Sequence, residues 1–373
     1  MIEISGTMKA LSSLHIGTGK KSGTFADTLE YVPGRTIRGM LGYYLYTNHR
    51  DLFEEMKISE DNDMSNTNAF FKNALPMSSS EAAGYKRTVA SSSSLKWCKK
   101  CGHLIAEGTK ACSNFVDGKP CLQEGKKVSG FITLDSLETG KLEKASVGTH
   151  ISTKCPITRD GHTSPGSDFE ISPYHVKSIV PGTVFEFRCL VEDSFVNKVK
   201  SALHEAGIFS GLGGYRSRGY GSVAFSDLKE KPVNDIIHER AKELSDKSNL
   251  MMVTNSSMIL KDENNSVIGF DSTFKDYISK FCSLRGYKDD FNVLFHGQEA
   301  GSGLPRQIIT RGVARGWSLK NGNRVSEIVR CIGPGSCLMV RGNPELLAAL
   351  EIYGIGEMTN SGYGDVYFME GQV

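Results

Sequence analysis

Four cysteines in the first third of the chain have the spacing of a metal site. They follow the pattern C-x2-C-x10-C-x8-C and are Cys98, Cys101, Cys112 and Cys121. A C-x2-C pair supplies two thiolates from one tight turn, and four thiolates fill the tetrahedral shell of a structural Zn2+ site. His103 is an alternative ligand, although the four thiolates suffice. The spacing therefore predicts a zinc ribbon over residues 97–122, in which the metal supplies the folding free energy that a segment poor in apolar residues lacks.

A glycine-rich signature occurs twice, as GLGGYRSRGYGSV at 211–223 and as GIGEMTNSGYGDV at 354–366. Backbone amides in such a loop can approach phosphates closely, because glycine has no Cβ. Arginine adds bidentate phosphate contacts, and tyrosine can stack on a base. In the first copy the candidate RNA-binding residues are Gly211, Gly213, Gly214, Arg216, Arg218 and Tyr220. A tight structural turn is the alternative interpretation, and the second copy carries Glu357 and no arginine.

Each glycine loop follows a helix-like stretch and leads into a strand-like one. Before the first copy, Val184–Val191 alternates like a half-buried strand, and residues 194–206 repeat apolar side chains at helical spacing. Before the second copy, Asn343 and Pro344 have the residue types of an N-cap and a first helical position. This repeated order predicts an α+β fold of two tandem ferredoxin-like (RRM-like, βαββαβ) domains, with the zinc ribbon inserted in the first.

The length of the chain indicates how many domains it can form, and local changes in composition predict where they begin and end. A chain of 373 residues with 39% hydrophobic residues has room for two globular domains. We predict a first domain over 1–228, with an insertion at about 59–180 that is partly Ser/Asn-rich. Residues 229–249 are densely charged with mixed sign, which indicates a charged linker or a solvated helix. The second predicted domain covers 250–373.

Neither a signal peptide nor a membrane span is expected. The first residues, MIEIS, lack a basic start and an apolar run, and no stretch of 18 apolar residues exists. The cysteines outside the cluster are then expected to be thiols of a cytoplasmic protein. The net charge of +2 does not by itself indicate a nucleic-acid ligand, but residues 96–127 carry seven lysines against three acidic residues.

Basic residues and a histidine lie near the N-terminus. Lys20 and Lys21 follow the sequence LHIGTG, and Arg35 and Arg38 begin a stretch with helical spacing. These four are further candidates for phosphate contact. His15 is a candidate general acid or base, because the imidazole of histidine titrates near neutrality. A packing role for this histidine is the favoured interpretation.

Three motifs in order resemble the RAMP superfamily of CRISPR-associated RNA-binding proteins. LHIGTG at 14–19 looks like that family's first loop, YVPGRTIRG at 31–39 is similar to its IPGSSLKG helix start, and 211–223 is similar to its glycine-rich loop. The resemblance covers residues 1–228, whereas the C-terminal half shares only shorter motifs. Within the superfamily, two tandem domains with a cysteine insertion look most like the subunit that caps the crRNA 5′ end in type III-D effectors.

The resemblance implies a structural subunit that binds the crRNA 5′ handle within a type III CRISPR complex for RNA-guided antiviral interference. Its partners would be crRNA, other type III effector subunits and target RNA. Two alternatives stay open. One is a RAMP endoribonuclease that cleaves precursor crRNA or target RNA, with His15 or Asp27 as the candidate catalytic residue. Asp27 falls where backbone RAMP subunits carry an acidic residue for target cleavage. The other alternative is a zinc-ribbon adaptor that binds protein partners only.

Overall fold

The computed structural model describes residues 1–58, 68–80, 84–105, 111–116, 118–155, 173–247, 250–262, 266–294, 307–314, 317–318, 324–325 and 328–371. The α-helices of these residues are α1 (Gly34–Asn48), α2 (Arg50–Glu55), α3 (Leu134–Thr139), α4 (Val196–Phe209), α5 (Val233–Ser245), α6 (Ser272–Arg285) and α7 (Pro344–Tyr353). The strands that precede α4 are β1 (Ile2–Ala10), β2 (Gly17–Ser22), β3 (Phe25–Thr28), β4 (Ala69–Phe71), β5 (Ser78–Ser80), β6 (Gly84–Lys86), β7 (Thr88–Ala90), β8 (Lys96–Trp97), β9 (Leu104–Ile105), β10 (Phe115–Val116), β11 (Lys119–Pro120), β12 (Lys126–Lys127), β13 (Phe131–Thr133), β14 (Lys144–Ala145), β15 (Thr149–Lys154), β16 (Tyr174–Ile179) and β17 (Val184–Val191). The strands that follow α4 are β18 (Val223–Pro232), β19 (Leu250–Thr254), β20 (Leu260–Lys261), β21 (Ser266–Val267), β22 (Asn292–Val293), β23 (Gln307–Ile308), β24 (Arg311–Ala314), β25 (Trp317–Ser318), β26 (Arg324–Val325), β27 (Val329–Ile332), β28 (Cys337–Arg341) and β29 (Val366–Glu370).

The first half of the chain is built on an antiparallel sheet with the strand order β18-β1-β17-β4. Along the chain its elements follow as β1, α1, β4, β17, α4 and β18. Helices α1 and α4 pack on this sheet, and their buried residues join one core with Met8, Phe185 and Phe187. The apolar stripe predicted for α4 is confirmed, because its buried residues recur at helical spacing: Val199, Ala202, Leu203 and Ala206.

The second half repeats this arrangement. Its five-stranded sheet has the strand order β22-β28-β19-β29, with the short strand β23 also paired to β28, and its elements follow along the chain as β19, α6, β22, β23, β28, α7 and β29. In both sheets the first strand lies between the strand that precedes the last helix and the strand that follows it. Helix α7 begins as the sequence predicts, since the Asn343 side chain accepts a hydrogen bond of 2.8 Å from the Glu345 N–H and Pro344 is the first helical residue. The mixed α+β class is therefore confirmed.

The sheet of the second half is covered on both faces. Leu250 and Met252 of β19 point into a core with α6 and α7. Met251 and Val253 point the other way, into a core with residues of the insertion such as Leu95. Strand β29 divides its side chains in the same way, with Val366 and Phe368 on the helical face and Tyr367 and Met369 on the insertion face. Two-sided burial explains why both strands are continuous apolar runs rather than alternating ones.

For residues 229–249 the sequence predicts a charged linker or a solvated helix, and the structure contains a helix there. They complete β18 and then form helix α5, while residues 248–249 lie outside the described residues. Helix α5 packs on α7 through a buried stripe of Val233, Ile237, Ala241 and Leu244. Arg240 of this helix forms a salt bridge of 2.7 Å with Glu351 of α7. The charged residues occupy the remaining faces of the helix. Because the segment is so densely charged, its apolar stripe was not recognised from the sequence.

A smaller sheet of the first half lies beside the first glycine loop. Its strand order is β15-β16-β3-β2, with β15 antiparallel and β3 parallel to β16.

Among the described residues, no helix combines the length and apolar character that crossing a bilayer requires.

The two halves are joined by a buried ion pair. Lys72 follows β4, Asp365 precedes β29, and their charged atoms are 2.6 Å apart with side chains only 4% and 10% exposed. The carboxylate also accepts a hydrogen bond of 2.7 Å from Asn255, and the Lys72 ammonium donates one of 3.2 Å to the carbonyl of Glu351. Burial alone would raise the pKa of Asp365, but the Lys72 ammonium, the Arg188 guanidinium and the hydrogen bond from Asn255 together outweigh it, and the pKa is lowered overall.

We expect Asp365→Asn to lower the free energy of unfolding by about 3–5 kcal/mol, because it leaves the Lys72 ammonium buried without a counter-charge. Urea denaturation measures this loss. The matched control is Glu54→Gln, which breaks the exposed Arg50–Glu54 pair and should leave the stability nearly unchanged, because solvent screens such a pair. We call this contact between the two halves, with the Lys72–Asp365 pair, the joint. Equal stability of the Asp365→Asn variant and the parent would contradict the structure of the joint.

The same pair predicts a pH dependence. The pKa of Asp365 in the folded protein is lowered, whereas an unfolded aspartate titrates near about 3.9. The pair's contribution is therefore complete above about pH 4 and is lost as the pH falls through the folded-state pKa. Denaturation measured at decreasing pH should show a steeper loss of stability in the parent than in Asp365→Asn.

Candidate functional site

The four predicted metal ligands come from one tight turn and from the two ends of a short strand pair. Cys98 and Cys101 lie in the turn between β8 and β9, where Gly102 adopts a φ of +74°. The Cys98 N–H donates to the His103 carbonyl at 2.8 Å, which closes this turn. Cys112 and Cys121 flank the antiparallel strands β10 and β11, and the Cys121 N–H donates to the Asn114 carbonyl at 2.8 Å.

The sulfur atoms of these cysteines converge. All four lie within 4.8 Å of one another, and the closest pairs, Cys98–Cys121 and Cys101–Cys112, are 3.5 and 3.4 Å apart. A tetrahedral shell with metal–sulfur bonds of about 2.3 Å places its sulfurs roughly 3.8 Å apart. Four thiolates this close repel one another, so they need a cation between them. The cluster can therefore hold one metal ion, and His103 is not part of it within the described residues.

The first glycine loop is a tight turn held against residues 13–16. Gly213 has a φ of +75°, and a Cβ there would lie 2.4 Å from the His15 carbonyl oxygen. A Cβ on Gly221 would lie 2.5 Å from the Leu212 carbonyl oxygen. The N–H groups of Gly211 and Gly214 donate to the carbonyls of Ala206 and His15 at 3.0 and 2.9 Å. These glycines thus form the turn, and the two amides are used within the chain.

The tip of the loop is exposed, and its two arginines point to different sides. Arg216 donates to the Ser210 carbonyl at 3.0 Å, and its guanidinium lies 5.5 Å from the ring of Tyr43 in α1. Arg218 donates to the Tyr174 hydroxyl, and its guanidinium lies 5.6 Å from the ring of Tyr215. Across the part of the chain that the structure describes, neither arginine forms an ion pair with a carboxylate. Both charges are therefore available to an anionic ligand.

Three tyrosines and two cations form a continuous surface, which we call the tyrosine surface. It consists of Tyr174, Tyr215, Tyr220, Lys154 and Arg218. The rings of Tyr215 and Tyr220 are 5.9 Å apart, and the Lys154 ammonium lies 5.5 Å from the Tyr220 ring. The Tyr220 hydroxyl is 3.2 Å from that of Ser152, and this hydrogen bond, together with Lys154, lowers the pKa of Tyr220. Tyr174, Tyr215 and Lys154 were not among the candidates derived from the sequence.

The second glycine loop has the same backbone form in different surroundings. Gly354, Gly356, Met358, Gly362 and Gly364 have φ values of +84°, +100°, +56°, +84° and +67°. They match positive φ values at the equivalent positions of the first loop. The short turn between Met358 and Gly362 is buried, however, and packs on α1 and β4.

Arg35 and Arg38, two candidates for phosphate contact, bind this buried loop. Arg35 donates to the Tyr363 hydroxyl at 2.5 Å, and Arg38 donates to the Ser361 hydroxyl at 2.7 Å. Both arginines are half-buried. The structure thus places them in the joint between the halves, separate from the exposed tip of the first loop.

The remaining candidates lie in the segment from His15 to Asp27, which contains β2 and the start of β3. Lys20 and Lys21 belong to β2, and their side chains lie outside what the structure describes. His15 is 7% exposed, its Nδ1 is 2.8 Å from the Lys177 carbonyl oxygen, and its ring meets that of Tyr215 edge-on at 5.0 Å. Asp27 is half-exposed and pairs with the Lys177 ammonium at 3.4 Å. His15 thus occupies a packing position, and its ring supports the loop.

Comparison with known proteins yields one family match. The RAMP superfamily profile matches residues 7–224. No curated protein matches the chain. Among solved structures, the chain is similar to a subunit in the cryo-EM structure of the type III-B Cmr-beta bound to cognate target RNA, with 13% identity, a TM-score of 0.34 and coverage of 61% of this chain and 60% of that one. It is also similar to a CRISPR associated protein Cas6, with 12% identity, a TM-score of 0.41 and coverage of 99% of both chains. The chain thus spans about 60% of the length of the Cmr-beta chain.

Proposed function

The chain belongs to the RAMP superfamily, and on that premise we propose that it is an RNA-binding structural subunit of a type III CRISPR interference complex, where it binds the crRNA 5′ handle. In this proposal the two sheets of equal strand order are tandem ferredoxin-like domains over 1–228 and 250–373, and the insertion with the cysteine cluster belongs to the first. Other effector subunits are its protein partners, and target RNA reaches it through the guide.

The exposed tip of the first glycine loop is the observation that carries this proposal. Arg216 and Arg218 project from the glycine turn next to Tyr215 and Tyr220. In the described structure neither arginine has a carboxylate partner. Guanidinium groups recognise phosphates through paired hydrogen bonds, and tyrosine rings stack on unpaired bases. The turn holds both kinds of group in place before RNA arrives, which reduces the entropy cost of binding.

The contrast between the two loops supports the same conclusion. The second loop has the backbone form of the first but is buried against α1, where Arg35 and Arg38 hold it. The three residues at its tip, Thr359, Asn360 and Ser361, are at most 2% exposed and are therefore not presented to a ligand as the tip of the first loop is. We assign RNA contact to the first loop, with Lys20 and Lys21 of the neighbouring strand β2 as further phosphate contacts, and we assign Arg35 and Arg38 to the joint.

We expect Arg216→Ala and Arg218→Ala each to weaken binding of single-stranded handle RNA by about tenfold, since each removes a charge-assisted hydrogen bond. The double variant should also flatten the slope of log K against log salt by about 0.7 for each phosphate that the protein no longer neutralises. Fluorescence polarisation at several salt concentrations measures both quantities. Arg50→Ala removes an exposed arginine of α2 and is the matched control. Unchanged affinity and slope in the double variant would remove this loop from the RNA site.

We propose that the metal of the cysteine cluster is zinc. Four thiolates in a closed site favour this ion, and the ribbon that carries them also covers one face of the second sheet. Freshly purified protein should contain one zinc per chain by elemental analysis, and Cys98→Ser with Cys101→Ser should lose it. Cys155→Ser, which changes an exposed cysteine outside the cluster, should retain it. A metal content near zero in the parent would contradict the zinc assignment.

Metal loss should also expose apolar surface. Met251 and Val253 of the second sheet pack against the insertion, so the Cys98→Ser, Cys101→Ser variant should bind more of a hydrophobic dye than the parent. Its thermal unfolding should become less cooperative, because the ribbon no longer holds the sheet.

We expect the isolated protein to leave labelled repeat RNA intact for hours without a divalent metal. His15 is buried and already hydrogen-bonded through Nδ1, whereas RNA cleavage requires an accessible base and charge stabilisation at the scissile phosphate. A denaturing gel tests this. Cleavage at one position that His15→Ala abolishes would favour the endoribonuclease. Mg2+-dependent cleavage that Asp27→Ala abolishes would indicate a target-cutting subunit.

A further inference from the structure

One face of the β15–β16 pair carries polar side chains toward Tyr220. In the antiparallel register, His150 lies opposite Ser178, Ser152 opposite Val176, and Lys154 opposite Tyr174. Residues directly opposite one another share a face of the sheet. This face therefore groups an imidazole, two hydroxyls, a phenol and an ammonium: His150, Ser152, Ser178, Tyr174 and Lys154.

The groups on this face are arranged around the Tyr220 ring. The Tyr220 hydroxyl is 3.2 Å from Ser152 Oγ, His150 Nε2 is 3.2 Å from Ser178 Oγ, and the Lys154 ammonium lies 5.5 Å from the ring. Tyr220, His150 and Lys154 are all half-exposed. Ser178 is buried, whereas the other polar side chains of this face remain partly accessible beside one aromatic ring.

We propose that Tyr220, Ser152 and His150 form a pocket for one unpaired nucleobase of the bound RNA, with Lys154 and Arg218 on its flanking phosphates. The proposal rests on the RNA-binding function inferred above and names the part of the RNA that this site takes. A base can stack on the Tyr220 ring, and hydroxyl and imidazole groups can donate to or accept from its edge.

The position of Lys154 is compatible with an incoming base. Its ammonium covers the Tyr220 ring in the protein alone, but an exposed cation–aromatic contact is weaker than base stacking. A phosphate of the bound strand would attract the ammonium, and the long side chain can move off the ring. Tyr215 is less suited to receive the base, because Arg218 covers it and His15 meets its edge.

The test uses the full chain and a single-stranded handle RNA in which one position at a time carries the fluorescent base 2-aminopurine or lacks a base. One position should change its fluorescence on binding, and removal of the base at that position should weaken binding to the parent by about tenfold. Tyr220→Leu should lose the fluorescence change and bind about tenfold more weakly. Tyr220→Phe, which keeps the ring, should stay within about twofold of the parent. Tyr85→Leu, which changes an exposed tyrosine of β6, is the control.

The outcomes separate this proposal from the function on which it rests. If the parent binds no RNA, the proposed function fails. If the parent binds RNA through Arg218, but no base position responds and Tyr220→Leu binds as tightly as the parent, only the pocket is wrong. Should Tyr220→Leu fail to fold, Lys154→Gln and the base-removal series on the parent decide the question. A base-removal series without any position-dependent loss would overturn the pocket.

Discussion

A close approach of two backbone segments fixes how the two halves meet. Gly34 at the start of α1 and Gly362 of the second glycine loop lie so near each other that a Cβ on either would be 3.1 Å from the other's Cα. A Cβ on Gly34 would also lie 2.0 Å from the Phe71 carbonyl oxygen. No side chain fits at either position. The rest of the joint, including the Lys72–Asp365 pair, is arranged around this contact.

The joint explains why two loops of one backbone form have different surroundings, one with an exposed tip and the other with a buried one. Where the first loop has Arg216, Ser217 and Arg218 at its tip, the second has Thr359, Asn360 and Ser361. Small polar side chains can be buried against α1 and still form hydrogen bonds, as Ser361 does with Arg38. Two arginines in that place would be buried without counter-charges, at a large desolvation cost. The sequence at the tip thus determines which loop can face solvent, and only the exposed one can meet an anionic polymer.

Local patterns in the sequence predicted much of this. The cysteine spacing indicated a cluster, and the four sulfurs do converge. Residue types predicted the N-cap of α7, and helical spacing predicted the apolar stripe of α4. The partners of Arg35 and Arg38 could not be predicted, because Tyr363 and Ser361 lie more than 300 residues away and the contact depends on how the halves dock. Similarly, Lys154 and Tyr174 become neighbours only through the register of β15 and β16, and no local pattern reveals that register.

The insertion covers a face of the second sheet that would otherwise be open. In an antiparallel sheet with helices on one face, aromatic residues on an open second face can stack on bases. In the second half that face contains Tyr367, Met251 and Val253, but the insertion covers it and the Tyr367 hydroxyl donates to the Ala90 carbonyl at 2.8 Å. Burial of such side chains stabilises the fold by about 1.5–3 kcal/mol each, so the face would not readily open to a ligand. In the function that we propose, RNA therefore meets the glycine turn, the tyrosine surface and the exposed arginines of the first half rather than this covered face.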